Sequence, residues 1–132
     1  MDLVTIFFGY VLYFLLVHWV GDFVLQTRHM AMRKSTSNYY LGMHVTVYTV
    51  TTILAWWLLF MIVGLSVSPW LYLASGTAIF VMHFITDYIT SRMTTKFYKA
   101  EKNYAFFTTV GFDQWLHYVQ IFIVFNYIIL HT

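Results

Sequence analysis

Four continuous apolar stretches take up most of the chain: about Leu3 to Leu25, Gly42 to Leu65, Trp70 to Arg92 and Ala105 to Leu130. Each reaches the roughly 20 mostly apolar residues that an α-helix needs to cross a bilayer's hydrocarbon core. The runs are unbroken instead of alternating, and about twice the length of a barrel strand, which excludes a transmembrane β-barrel. Composition removes the soluble alternative, since 61% of the 132 residues are hydrophobic and 9% charged, against roughly 25% charged in a water-soluble domain. The expected fold is therefore all-α: one integral membrane domain over residues 1–132, built as a four-helix transmembrane bundle. The first stretch is read as a retained span, because it is preceded by Asp2 and no Lys or Arg, and no small-residue cleavage site follows.

Charge gives the orientation. The seven basic residues fall between the first two stretches (Arg28, Arg33, Lys34) and around the link between the last two (Arg92, Lys96, Lys99, Lys102). The positive-inside rule then predicts two cytoplasmic loops with both termini outside, a multi-pass arrangement expected in a cell inner membrane. Trp70 and Tyr72 suit the outer interface, and Tyr39, Tyr40, Tyr98 and Tyr104 the inner one. His29 and His131 read as solvated or interfacial. The basic loops are too short for a nucleic-acid footprint, so the expected partners are membrane lipids and a further copy of the chain in a homo-oligomer.

Ionisable groups inside a span cost on the order of 3 kcal/mol each on insertion scales, which makes them functional candidates. The stretches hold seven: His18, Asp22, His44, His83, Asp87, Asp113 and His117. Three helices thus carry a His and an Asp four residues apart, on one helix face. The first and third read His-x-x-x-Asp and the returning fourth reads Asp-x-x-x-His, so in all three the Asp is met first from the cytoplasmic side and the His about 6 Å deeper. His44, near the cytoplasmic start of its helix, joins the same layer.

Bundle cores build metal sites from such facing side chains. The chain has no cysteine, so a metal must sit on nitrogen and oxygen. Four imidazoles and three carboxylates suit one or two divalent ions. Zinc is favoured for hydrolysis because it is redox-inert and activates water, with iron or manganese compatible by ligand type. In a hydrolytic site one of Asp22, Asp87 and Asp113 would take the proton of the attacking water. Gln26, Gln114 and Tyr48 could orient a ligand or substrate, and Arg28, Lys34 and Arg92 at the mouth could meet a phosphate-bearing headgroup. Each has a plainer role: the amides and phenol bridge helices, Gln120 acts as packing glue, and the basic residues set topology. For the cluster itself the alternatives are hydrogen-bonded His-Asp helix glue or an ion or proton path.

His18, Asp22, Leu25 and Gln26, then Lys34, His44, His83 with Asp87, and Asp113, Gln114 with His117 resemble, across nearly the whole chain, an uncharacterised family of small phage and bacterial integral membrane proteins. In motif style the three His/Asp pairs are also similar to membrane-bound metal-dependent hydrolases and zinc-dependent phospholipases C. That likeness implies hydrolase chemistry on a phospholipid or other lipid-borne substrate. The other expectations are a non-enzymatic membrane protein with a metal- or His-Asp-stabilised bundle, engaging a host partner or serving structure, and a metal-ion or proton transporter.

Overall fold

The computed structural model describes residues 2–132, and among them every regular element is helical. The order is α1 (Leu3–Trp19), a single π-helical turn (Val20–Val24), α2 (Arg28–Arg33), α3 (Asn38–Val63), α4 (Pro69–Lys99) and α5 (Asn103–Leu130). Local chemistry sets the boundaries. The Asp2, Thr27 and Ser68 side chains cap α1, α2 and α4 by accepting from Thr5, Met30 and Leu71 N–H, and Pro69 opens α4 where its missing N–H costs nothing. Gly64 ends α3 in the left-handed conformation, φ 73°, that glycine takes without strain.

Three helical segments, Phe7–Val24, Asn38–Val63 and Pro69–Lys99, are long and apolar enough to cross a membrane. Helix α5 matches them in length and is apolar along much of its surface, but it is interrupted by Asp113, Gln114, His117, Gln120 and Asn126. Two features depart from the sequence-based picture. Helix α4 continues two turns past Arg92, so Lys96 and Lys99 stand on a helix and the turn before α5 shrinks to Ala100–Lys102, with Glu101 at φ 55°. The segment before α3 also folds, into α2, which packs on α3.

The long helices touch in a closed ring, α1 to α3, α3 to α4, α4 to α5 and α5 back to α1. Inside it the two ends differ. Toward the α3–α4 turn the core is apolar, with Phe14, Trp56, Phe60, Ile79, Ile121, Val124 and Ile128 buried and Phe14 edge-on to Phe125 at 4.6 Å between centroids. Outward faces carry Phe8, Leu12, Trp19, Leu54 and Ile62, all exposed. Such faces fit a membrane protein, in which helix association rests on close packing and polar contacts.

Candidate metal centre

The other end of the ring interior is polar. His18, His44, His83 and His117 are each 0% exposed, Asp87 1% and Asp22 3%. Their placement follows from helical spacing: His83 and Asp87 share the inner face of α4, Asp113 and His117 that of α5, and His44 faces them from α3. Asp22 lies in the π turn, closed by the Leu25 N–H donating to Val20 C=O at 2.9 Å. Such single π turns are frequent at functional sites because they re-aim one side chain within a helix.

All seven sequence candidates therefore converge. They form three overlapping groups whose ligand atoms could hold a metal ion: Asp22, His44, His83 and Asp87; His18, Asp22 and His117; and Asp87, Asp113 and His117. In the first, His44 Nε2 lies 3.0 Å from Asp22 Oδ1, 3.2 Å from Asp87 Oδ2 and 3.3 Å from His83 Nε2. His83 Nε2 lies 3.5 Å from Asp22 Oδ1 and 3.7 Å from Asp87 Oδ2. A tetrahedral ion with bonds of about 2.0–2.1 Å places its donors about 3.3–3.4 Å apart. The measured separations bracket that edge.

Hydrogen bonding separates the donors into two kinds. Asp22 Oδ1 is buried and accepts no hydrogen bond despite its closeness to His44, and both nitrogens of His117 are likewise unpartnered. Close approach without hydrogen-bond alignment is what atoms aimed at a common point produce, and buried polar atoms are otherwise rarely left so. His18 is different. Its Nδ1 pairs with the Tyr48 hydroxyl at 3.0 Å and its Nε2 with Gln114 Oε1 at 2.7 Å, while Asp22 stands off at 3.8 Å. Tyr48 also lies against the His83 ring, 4.0 Å between centroids, and His83 stacks on His117 at 4.0 Å and 11°.

Of the expected flanking residues, Tyr48 and three others reach or border the centre. Gln114 donates to Asp22 at 3.2 Å and Asp113 at 3.0 Å while accepting from or facing His18, which makes it a link between α1 and α5. Lys34 Nζ pairs with Asp87 Oδ2 at 2.8 Å and sits 3.3 Å from His44 Nε2. Burial works against its charge, but the Asp87 and Asp22 carboxylates outweigh that and raise its pKa above the usual lysine value. Gln26 lines a cavity beside the centre with its Oε1 unpartnered. Arg28, at the exposed start of α2, and Arg92 do not line that cavity; Arg92 instead covers the Tyr88 ring at 3.6 Å and donates to Asn38 at 2.9 Å.

Residues 10–132 match the family described as a protein of unknown function, DUF3307. The chain belongs to the DUF3307 family. No curated protein and no solved structure matches it. The match spans every donor of this DUF3307 centre, from His18 to His117, in keeping with the uncharacterised family that the motifs resemble. Sequence reasoning passed over Thr86, Thr90 and Ser91, which continue the buried α4 face 3, 7 and 8 residues after His83. The Thr90 hydroxyl donates to Asp113, and Thr86 takes the Gln120 amide at 2.7 Å. Their helical spacing from His83 was the available signal.

Proposed function

We propose that this chain is a multi-pass inner-membrane metalloenzyme, a zinc-dependent hydrolase acting near the cytoplasmic face on a phospholipid or other lipid-borne substrate. In this reading α5 crosses as a fourth span beside the other three segments, its polar residues turned toward the ring interior, and the two basic connections lie in the cytoplasm. The observation that carries it is the four-donor group of Asp22, His44, His83 and Asp87, buried and closely set, with Asp22 Oδ1 left without a hydrogen bond among the other three.

Zinc held there would act as a Lewis acid and bring the pKa of a bound water to about 7. The remaining steps belong to the chain. Asp22 and Asp87 each belong to two of the donor groups, which makes them holding residues. Asp113 belongs to one, lines the cavity and is the most exposed of the three at 13%, so it is the carboxylate placed to accept a proton from an incoming water. Thr90 and Gln114 fix its orientation through hydrogen bonds to its two oxygens. A site between helices suits a substrate arriving from the bilayer.

A second reading, His-Asp contacts as helix glue, has His18 in its favour, since both its ring nitrogens are already engaged by Tyr48 and Gln114. Elemental analysis of detergent-purified protein separates the two. The hydrolase reading expects one or two equivalents of zinc in wild type, loss of metal in His83→Ala, and metal retained but vesicle-lipid hydrolysis abolished in Asp113→Asn. Protein purified without chelator that carries no metal would reject the metalloenzyme and leave helix pairing.

A further inference from the structure

A cavity of about 190 Å³ opens beside the candidate metal centre between the π turn, α2, α4 and α5, with Asp22, Asp87 and Asp113 in its lining. It is smaller than the about 300–1,000 Å³ of sites that enclose a drug-sized molecule. A whole lipid does not fit, but a compact head does. Polar groups other than carboxylates share the lining. Ser91, buried to 9% exposure on α4, lines it with a hydroxyl that makes no hydrogen bond. The Gln26 amide lines it with its oxygen unpartnered, and Lys34 is the sole cation among the described lining residues.

A buried hydroxyl with no partner carries an uncompensated desolvation cost, so it calls for a ligand atom to satisfy it. Three carboxylates against one ammonium leave the side chains net negative, and one divalent ion cancels that excess. Lys34 is meanwhile tied to Asp87 and His44, two members of the four-donor group. A nitrogen lone pair on His44 that engages an ion cannot also accept from Lys34, so metal binding would free the ammonium of its His44 contact while it still lines the cavity beside Asp87. A cation, a hydroxyl and an amide set around a small volume next to a Lewis acid match the oxygens of a phosphoryl group.

We infer that this cavity is a phosphoryl-oxyanion subsite in which Ser91 Oγ and Lys34 Nζ donate to the phosphate of a headgroup or free phosphate, with Gln26 Oε1 accepting from a phosphate O–H. The inference deepens the hydrolase reading and rests on its metal centre. Its test is phosphate binding by the 132-residue chain in detergent, followed by phosphorus NMR with and without zinc, in wild type, Ser91→Ala, Lys34→Gln and Ser75→Ala. Ser75 is the control, being on the same helix, 2% exposed and equally unpartnered, but away from the cavity. A parallel arm uses nanodiscs with and without phosphatidic acid.

Ser91→Ala and Lys34→Gln are expected to weaken binding about tenfold or more, as loss of a charge-assisted contact does, while Ser75→Ala leaves it unchanged. Binding of inorganic phosphate identifies the free anion as the ligand, and binding confined to phosphatidic acid discs identifies the headgroup; both support the subsite. Wild type that binds neither, or Ser91→Ala that melts and binds like wild type, overturns it. Zinc bound without either phosphate source rejects the subsite and leaves the metal centre standing, whereas Ser91-dependent phosphate binding to zinc-free protein keeps the subsite and rejects the metal.

Discussion

Lys34 sits where a metal ion and a lysine ammonium compete for the same atoms. Its 3.3 Å contact with His44 Nε2 is lost when that nitrogen's one lone pair ligates, and its 2.8 Å pair with Asp87 Oδ2 weakens when an ion shares that oxygen's charge. Lys34→Gln should therefore bind zinc more tightly than wild type, by about tenfold, or ~1.4 kcal/mol, measured by competition with a chromophoric chelator. Equal or weaker zinc affinity in a folded variant would show that Lys34 does not occupy the ligand atoms. Six of the seven candidate donors were legible from spacing, because His-x-x-x-Asp on a helix places both groups on one face whatever the tertiary fold, and His44 from its depth near the start of its helix. Direction within the site was not. Nothing in the spacing tells that His18 is spoken for by Tyr48 and Gln114, or that Lys34 turns inward while Arg92 lies along Tyr88, since those choices depend on which helices become neighbours.

Among the elements, the π turn is the part most sensitive to small changes. Gly21 lies in it, and a Cβ there would come within 3.2 Å of Tyr48 Cδ2. Tyr48 has little room to yield, being stacked on His83 and bonded to His18. Gly21→Val should cost about 1–3 kcal/mol through overpacking and lower zinc affinity as well, read by thermal unfolding and by metal titration. Gly111→Ala is the counterpart, because nothing lies within 4 Å of a Cβ at that position in α5. It should gain up to about 1 kcal/mol from helix propensity and leave metal binding alone. A melting temperature for Gly21→Val equal to wild type would remove the close approach from the argument. The four apolar stretches located α1, α3, α4 and α5 to within a few residues except at the end of α4, since hydrophobic length is a local property. The π turn and α2 were hidden: Val20–Val24 reads as ordinary helix, and Arg28–Arg33 is too short to carry a periodic signal.

At the scale of the molecule, a polar half and an apolar half share one helical ring, and the polar half is costly without a ligand to gather its carboxylates and imidazoles. Zinc at a hundred times its dissociation constant should stabilise the fold by about 2.7 kcal/mol, so chelator should lower the melting temperature of wild type and leave His83→Ala unmoved. Orientation is also open to direct measurement. With no native cysteine, single substitutions Lys102→Cys and Ser66→Cys can be labelled from one side of sealed vesicles. The proposed topology expects reaction of Lys102→Cys from the cytoplasmic side only and of Ser66→Cys from the outer side only; labelling of both from one side would exclude α4, which runs between them, as a span.

The three donor groups do not become complete at the same moment of synthesis. Asp22, His44, His83 and Asp87 are all present once α4 has been made, whereas both other groups wait for His117 in α5. A nascent chain could thus capture a first ion while its last helix is still in the ribosome, and that ion would hold the three earlier helices in place as a template. The second capture would then mark arrival of α5, which makes metal content a record of how far assembly has gone.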